Sequence, residues 1–259
     1  MLRVFIGYDE RQPVSFSVLS QSILENASVP VQITPIRLHT LPLKRQGLTP
    51  FTYSRFMVPY MCNYKGWGLF LDADMVLLDD IAKLFDKGNT KYKVMVVKNP
   101  MKFEWASLML FNCAKCEILT PDYIEKANNL HGIGWAEDHE IGDLPREWNH
   151  LVGYDEERED AKLVHYTQGV PAFPETQSQE YSKEWHGFAQ RALAAVPWDN
   201  LMAQSVHATN VNDTFLPKFL FEEDNFTPKP KYKKIVMDLI KEKRKQQDGN
   251  AKHNQEQHS

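Results

Sequence analysis

The chain has 259 residues and is 42% hydrophobic, 25% charged and 12% aromatic, which excludes general disorder and describes a globular protein. At this length roughly 70–75% of the unfolded surface is buried on folding, so no disulfide framework or structural metal is needed. Thirty Lys and Arg against 34 Asp and Glu leave a formal charge of -4, which excludes a global basic field and makes specific nucleic-acid binding a poor expectation.

The three cysteines, Cys62, Cys113 and Cys116, are too few for a disulfide scaffold and suit a reducing compartment. Cys113 and Cys116 form a C-x-x-C with no second pair to close a zinc shell, so they read as ordinary thiols. The first residues read as neither a signal peptide nor a membrane span, which predicts a cytoplasmic location without a transmembrane segment.

In chain order, Leu2 to Gly7 is an apolar run that stops at Gly7-Tyr8-Asp9 and reads as a buried strand entering a loop. Pro13 then opens a helix on which Val14, Val18, Leu19, Ile23 and Leu24 recur at helical spacing. A second strand is predicted over Val31 to Leu38, and a second helix from about Thr52 to Cys62 with Arg55 on its first turn. Gly66 to Leu71 is a glycine-flanked apolar run that ends abruptly in Asp72-Ala73-Asp74. Further strands are expected at Lys93 to Val97, Ala106 to Phe111 and Lys162 to Tyr166. Helices are expected at Pro121 to Asn129 and Gln179 to Ala195, with Trp135 to Gly142 a short acidic segment between. Strands alternating with helices predict an α/β fold with a mostly parallel sheet covered on both faces. In such sheets ligands collect at the carboxyl ends of the strands, where Tyr8-Asp9 and Asp72-Ala73-Asp74 both lie.

Asp72 and Asp74, one residue apart where a buried strand emerges, can present oxygens to Mn²⁺ or Mg²⁺, a cation that phosphate oxygens would complete. His165 also ends a predicted strand, and imidazole is a reasonable third ligand. Asp74 and His165 are both expected to face solvent and metal rather than the core. The other readings of these residues are a solvated turn for D-x-D and a structural histidine for His165.

With these residues in view, the chain resembles the family 8 glycosyltransferases, retaining enzymes that use nucleotide sugars on a GT-A fold. Val4 to Asp9 is similar to the family's first strand and nucleoside loop, which implies donor contacts at Gly7, Tyr8 and Asp9. Thr52-Tyr53-Ser54-Arg55 matches a helix whose Arg lies near the diphosphate, and Leu69 to Asp74 matches the metal-binding D-x-D. Ala106 to Asn112 resembles the strand lining the donor sugar, which implies contacts at Ala106 and Ser107. Asp138-His139-Glu140-Ile141 is similar to the segment that reaches the reacting sugar, and Trp148-Asn149 follows as it does in the family. Val164-His165-Tyr166 resembles the segment supplying the third ligand. Trp105, Ser107 and His139 replace the family's Asn, Gly and Gln, and no Lys follows His165 at the family's place.

The resemblance implies a UDP-sugar donor, a divalent metal held by Asp72, Asp74 and His165, and transfer of a hexose or similar sugar to a glycan, lipid-linked or other hydroxyl acceptor. It implies that the metal and Arg55 stabilise leaving-group charge. Asp138 and His139 are then the catalytic pair, placing the sugar for same-face attack, with a covalent intermediate on Asp138 as the alternative. Two further readings stand beside this one. One is a non-catalytic sugar-nucleotide-binding protein; the other is a phosphatase of the haloacid dehalogenase type, since Leu71 to Val76 also fits that signature.

Residues 1–226 are expected to form the transferase domain, with acceptor determinants mainly in 172–226. Trp185 and Trp198 there read as either core or groove. Residues 227–245 are predicted to be a basic amphipathic helix and 246–259 a disordered tail. Lys229 to Lys245 carries eight Lys or Arg and two Asp or Glu, leaving -10 on the rest of the chain. Such a helix is a solvated surface, a peripheral contact for anionic lipid headgroups or a contact for a phosphate-rich acceptor.

Overall fold

A computed structural model describes residues 1–193. The predicted basic helix 227–245, the tail 246–259, Trp198 and residues 194–226 of the acceptor-side stretch lie outside the described residues.

The chain opens with β1 (Leu2–Gly7), α1 (Pro13–Asn26) and β2 (Val31–Ile36), followed by α2 (Val58–Met61), β3 (Trp67–Leu71), β4 (Met75–Leu77) and α3 (Ile81–Phe85). Then come β5 (Val94–Val96), β6 (Leu108–Asn112), α4 (Pro121–Lys126), β7 (Ile141–Asp143), β8 (His150–Leu151), β9 (Leu163–His165) and α5 (Ser182–Leu193). Six strands form one sheet in the order β2-β1-β3-β6-β5-β7, and β4-β9-β8 form a smaller one. In the large sheet only β6 runs against its neighbours, so the predicted mostly parallel α/β architecture is present.

The period of two along the strands divides the core between the faces of the sheet. Phe5, Phe70, Met109 and Phe111 point to one side, where Phe56, Met57 and Trp135 cover them. Val4, Ile6, Leu69, Leu71 and Leu110 point to the other, against Leu19 and Ile23 of α1 and Ile81 and Leu84 of α3. Pro13 starts α1 at a position whose N–H would have no helical partner. The buried Ser22 hydroxyl donates to the Leu19 carbonyl at 2.8 Å and accepts from the Leu77 N–H at 3.0 Å, which ties α1 to β4.

The helix expected over Thr52 to Cys62 is instead a 3-10 turn, Ser54–Met57, that restarts as the four-residue α2. Pro59 has no N–H to offer a preceding turn, and Asn63 and Tyr64, at φ 50° and 52°, end the segment. β4, α3, β7 and β8 carry too little periodicity to be expected from sequence. α3 nonetheless has a local start signal, since the Asp80 carboxylate accepts from the Ala82 N–H at 2.9 Å. The three cysteines are free and buried, as ordinary thiols would be.

Candidate active site

β3 ends at Leu71, and the next three residues cross from the core to the rim of a cavity of about 810 Å³. Asp72 and Asp74 both line it. Antiparallel pairing places the start of β6 beside the end of β3, with Leu71 opposite Leu108 and the Asp72 N–H donating to the Ser107 carbonyl at 2.9 Å. Ala106 and Ser107 therefore meet Asp72 because β6 reverses direction.

The second sheet supplies the third group. Met75 of β4 pairs with His165 of β9, and the Tyr166 N–H donates to the Asp74 carbonyl at 2.9 Å. This register brings His165 Nε2 to 3.4 Å from Asp74 Oδ1. One ligand atom each from Asp72, Asp74 and His165 lie within 4.8 Å of one another. His165 is only 2% exposed, so it does not face solvent as expected, because β9 is covered by the core around Val164 and Tyr166.

Burial pushes the Asp72 carboxyl up to about 7, against the pull of Arg55 and with the push of Asp74. For His165, burial lowers the pKa but the adjacent Asp74 carboxylate outweighs it, and the net direction is up. Among the described residues, Asp72 Oδ1 and Asp74 Oδ1 are buried without a hydrogen bond. Arg55 Nη2 lies 3.1 Å from the first of these oxygens and His165 Nε2 3.4 Å from the second, and two carboxylates beside an imidazole nitrogen are a donor set that fits Mn²⁺ or Mg²⁺.

Arg55 is buried against this centre. Its guanidinium lies 3.1 and 3.2 Å from the two Asp72 oxygens and donates to the Ala106 carbonyl at 2.8 Å and to the Phe51 carbonyl at 3.3 Å. Its donors are thus spent on fixing Asp72 and the start of β6.

Asn149 was not singled out from sequence as a site residue, yet it organises the centre. Its Nδ2 donates to Ser107 Oγ at 3.0 Å, so its Oδ1 is the atom that accepts from His165 Nδ1 at 3.2 Å. A proton held on Nδ1 leaves Nε2 as the ligand atom. An Asn next to a buried Trp148 has no periodic signature, and only the packing reveals its role.

The other expected contacts lie elsewhere. Tyr8 and Asp9 line a separate, smaller pocket of about 460 Å³ at the end of β1, where Arg37 stacks 5.5 Å from the Tyr8 ring. Gly7 is required at the end of β1 because a Cβ there would sit 2.5 Å from the Phe51 ring, which lines the larger cavity. Asp138 and His139 occupy an exposed 3-10 turn and line neither cavity. Asp138 is 89% exposed and touches the larger cavity only through Lys102, whose Nζ is 3.4 Å from its Oδ1. Trp185 is buried under α5 with Phe188 and Val164, a core residue rather than a groove. Among the described residues no helix is long and apolar enough to cross a membrane.

Solved structures similar to this one are glycosyltransferases of the GT-A fold. The bifunctional glycosyltransferase WbbM superposes with a TM-score of 0.56 at 16% identity, over 78% of this chain and 51% of that one. The galactosyltransferase LgtC, solved with donor and acceptor sugar analogs, gives 0.54 at 11% identity over 76% of this chain and 98% of LgtC. GlyE of Streptococcus pneumoniae TIGR4 gives 0.57 at 16% identity over 73% and 61%. The chain thus spans about half of WbbM and under two thirds of GlyE, and at these identities the likeness establishes the fold. No family model matches the chain. Protein CDI of Arabidopsis thaliana is 34% identical over 220 residues, an alignment covering 71% of this chain and 84% of CDI. On that identity and coverage, carried on a GT-A fold, the chain belongs to the family of Protein CDI.

Proposed function

We propose that this protein is a metal-dependent glycosyltransferase of the family 8 type, moving a hexose or similar sugar from a UDP-sugar to an acceptor hydroxyl with retention. The observation that carries this reading is the convergence of Asp72, Asp74 and His165 in the lining of a large cavity on a GT-A fold.

A bound Mn²⁺ or Mg²⁺ supplies a Lewis acid at the diphosphate, where negative charge develops as the sugar departs. Arg55 keeps Asp72 in place, and Asn149 holds the His165 proton on Nδ1 so that Nε2 faces the carboxylates. Ala106 lines the cavity and offers the donor sugar a wall whose position is set by β6, whereas Ser107, expected as a donor contact, is fully buried with its hydroxyl bonded to the Glu104 carbonyl and Asn149. The Tyr8–Asp9 pocket is the proposed nucleoside site, reached past Phe51.

In the transfer, the bond from the anomeric carbon to the diphosphate oxygen breaks as the acceptor oxygen bonds to the same face. The acceptor's hydroxyl proton passes to the departing phosphate. Asp138 enters this reading only through its ion pair with the cavity-lining Lys102, His139 has no contact with the cavity, and the exposure of Asp138 favours same-face attack over a covalent adduct on it. The acceptor, cytoplasmic residence and a peripheral membrane contact through residues 227–245 belong to the same proposal.

The test is UDP release from a panel of UDP-sugars in Mn²⁺, followed by mass spectrometry of any glycosylated product. Release that depends on the metal supports the proposal. Binding of UDP without release from any donor would mark a non-catalytic binding protein, and phosphoester hydrolysis without a nucleotide sugar would mark a phosphatase.

A further inference from the structure

Large apolar side chains left in water are unremarkable when scattered, but they carry meaning when they share one cavity. Leu48 (90% exposed), Met101 (85%), Phe103 (39%) and Tyr154 (58%) all line the mouth of the Asp72–Asp74–His165 cavity. The Phe103 and Tyr154 rings stand 5.0 Å apart at an interplanar angle of 51°, which makes an open trough rather than a flat wall.

The backbone under both rings is built, not loose. The Asn99 side chain clamps Phe103 from both sides, accepting from its N–H at 2.9 Å and donating to its carbonyl at 2.6 Å. Lys102 and Glu104 flank Phe103 in the left-handed region, at φ 53° and 55°, a conformation that L side chains adopt only where the surroundings hold it. The Glu104 carbonyl accepts from Ser107 Oγ at 2.7 Å and from Asn149 Nδ2 at 3.4 Å, which anchors this loop to the group that orients His165. Tyr154 sits in a turn whose Val152 N–H donates to the His165 carbonyl at 3.0 Å.

Polar groups border the trough at a few points. Lys102 and Glu104 line the same cavity, and so does Thr167, whose buried hydroxyl has no partner among the described residues. An alkyl chain would cover the rings and leave these groups without partners, whereas a pyranose offers an apolar C–H face with hydroxyls around its edge.

We infer that Phe103 and Tyr154 form the acceptor platform, taking a neutral pyranoside whose C–H face lies on the rings and whose hydroxyls meet Lys102, Glu104 and Thr167. This rests on the transferase reading for the donor side. It assigns acceptor contacts to the Asn99–Glu104 loop and the Tyr154 turn, in addition to any within the 172–226 stretch.

The test uses the full-length protein with UDP and Mn²⁺, titrated with methyl glycosides of the common hexopyranoses and followed by saturation-transfer NMR. Phe103→Ala with Tyr154→Ala should weaken methyl-glycoside binding about tenfold more than it alters UDP–Mn²⁺ binding, the scale of one lost aromatic contact. Phe103→Trp, which keeps a ring, should retain the affinity. Wild-type affinity in the double variant overturns the platform, as does failure of every methyl glycoside to bind. Binding of octyl but not methyl glucoside also overturns it, because the trough would then take an alkyl chain. Loss of UDP–Mn²⁺ binding by the wild type would instead remove the transferase reading, while ring-dependent saccharide binding would leave the platform standing.

Discussion

Two strand ends in this molecule carry carboxylates toward a cavity, and they are constructed differently. At the end of β3, Asp72 is paired with an arginine that is itself buried, and the neighbouring His165 is held by an asparagine. At the end of β1, Asp9 is paired with Arg11, which is 70% exposed, and Glu10 with Arg37, where both side chains are about half in solvent. The first arrangement excludes water and leaves each charge dependent on a named partner, so loss of one partner is costly. The second is screened by solvent, so its partners are exchangeable. Rigid geometry is thus concentrated where charge would develop in the proposed reaction, and adaptable geometry where a nucleoside would bind.

The largest effect expected from this contrast is at Asp74. Asp74→Asn should reduce Mn²⁺-dependent donor turnover by more than about 100-fold, the scale of removing one electrostatic stabiliser from a preorganised site. Circular dichroism should remain that of the wild type, because the Asp74 side chain is about one third exposed. Undiminished turnover in this variant would remove Asp74 from the metal centre.

Arg55→Met should remove the pull that lowers the Asp72 pKa, so the buried carboxyl stays protonated to higher pH and the loss of stability in denaturant unfolding should be small in acid and grow as pH rises above neutral. A cost that stays near that of a surface substitution above neutral pH would show that Asp72 relaxes toward solvent.

Asn149→Ala should weaken Mn²⁺ binding about 10–100-fold by freeing the His165 ring. The apparent constant for Mn²⁺ should rise well before saturated turnover falls, a split that general destabilisation would not produce.

The pH dependence of the metal follows from the same burial. Asp72 holds a proton up to about pH 7 in the folded protein and releases it near the ordinary carboxylate value when unfolded. Between those values the folded state binds more protons, so the metal-free protein loses stability as pH rises through that window. A metal must displace the Asp72 proton and, below its raised pKa, one on His165. Mn²⁺ affinity should therefore increase with pH and level off above the neutral range, with net proton release seen by calorimetry in buffers of different ionisation enthalpy. Affinity independent of pH across that range would contradict the burial of Asp72.

The smallest effect belongs to the other strand end. Arg11→Ala should leave the melting temperature unchanged, since its pair with Asp9 lies in water on the arginine side. A clear fall would mean that this loop is as rigid as the metal centre.

Much of the candidate metal site is legible in the sequence. An apolar run ending in D-x-D signals a carboxylate pair at a strand end, and KLVHY signals a histidine at another, because alternation and burial leave local marks. Arg55 was legible as a site residue, though its contact with Asp72 was not. Trp148-Asn149 was legible as part of the family pattern, though not the contact of Asn149 with His165; Lys102 and the Phe103–Tyr154 pair left no such mark, because single residues in irregular segments acquire meaning only from what faces them. The exposed setting of Asp138 and His139 was equally invisible, since an acidic turn reads the same at a cavity floor and on a rim.

By itself, the sequence determined the alternating elements, the two-faced core and the residues that end β1, β3 and β9, since these follow from side-chain periodicity within short windows. Only the tertiary structure decided that β6 runs antiparallel and brings Ala106 to Arg55, and that three-residue β4 pairs with β9 and brings His165 to Asp74. Those contacts join residues 51 and 91 positions apart, and their register is set by burying both strands at once, a condition that no local window contains.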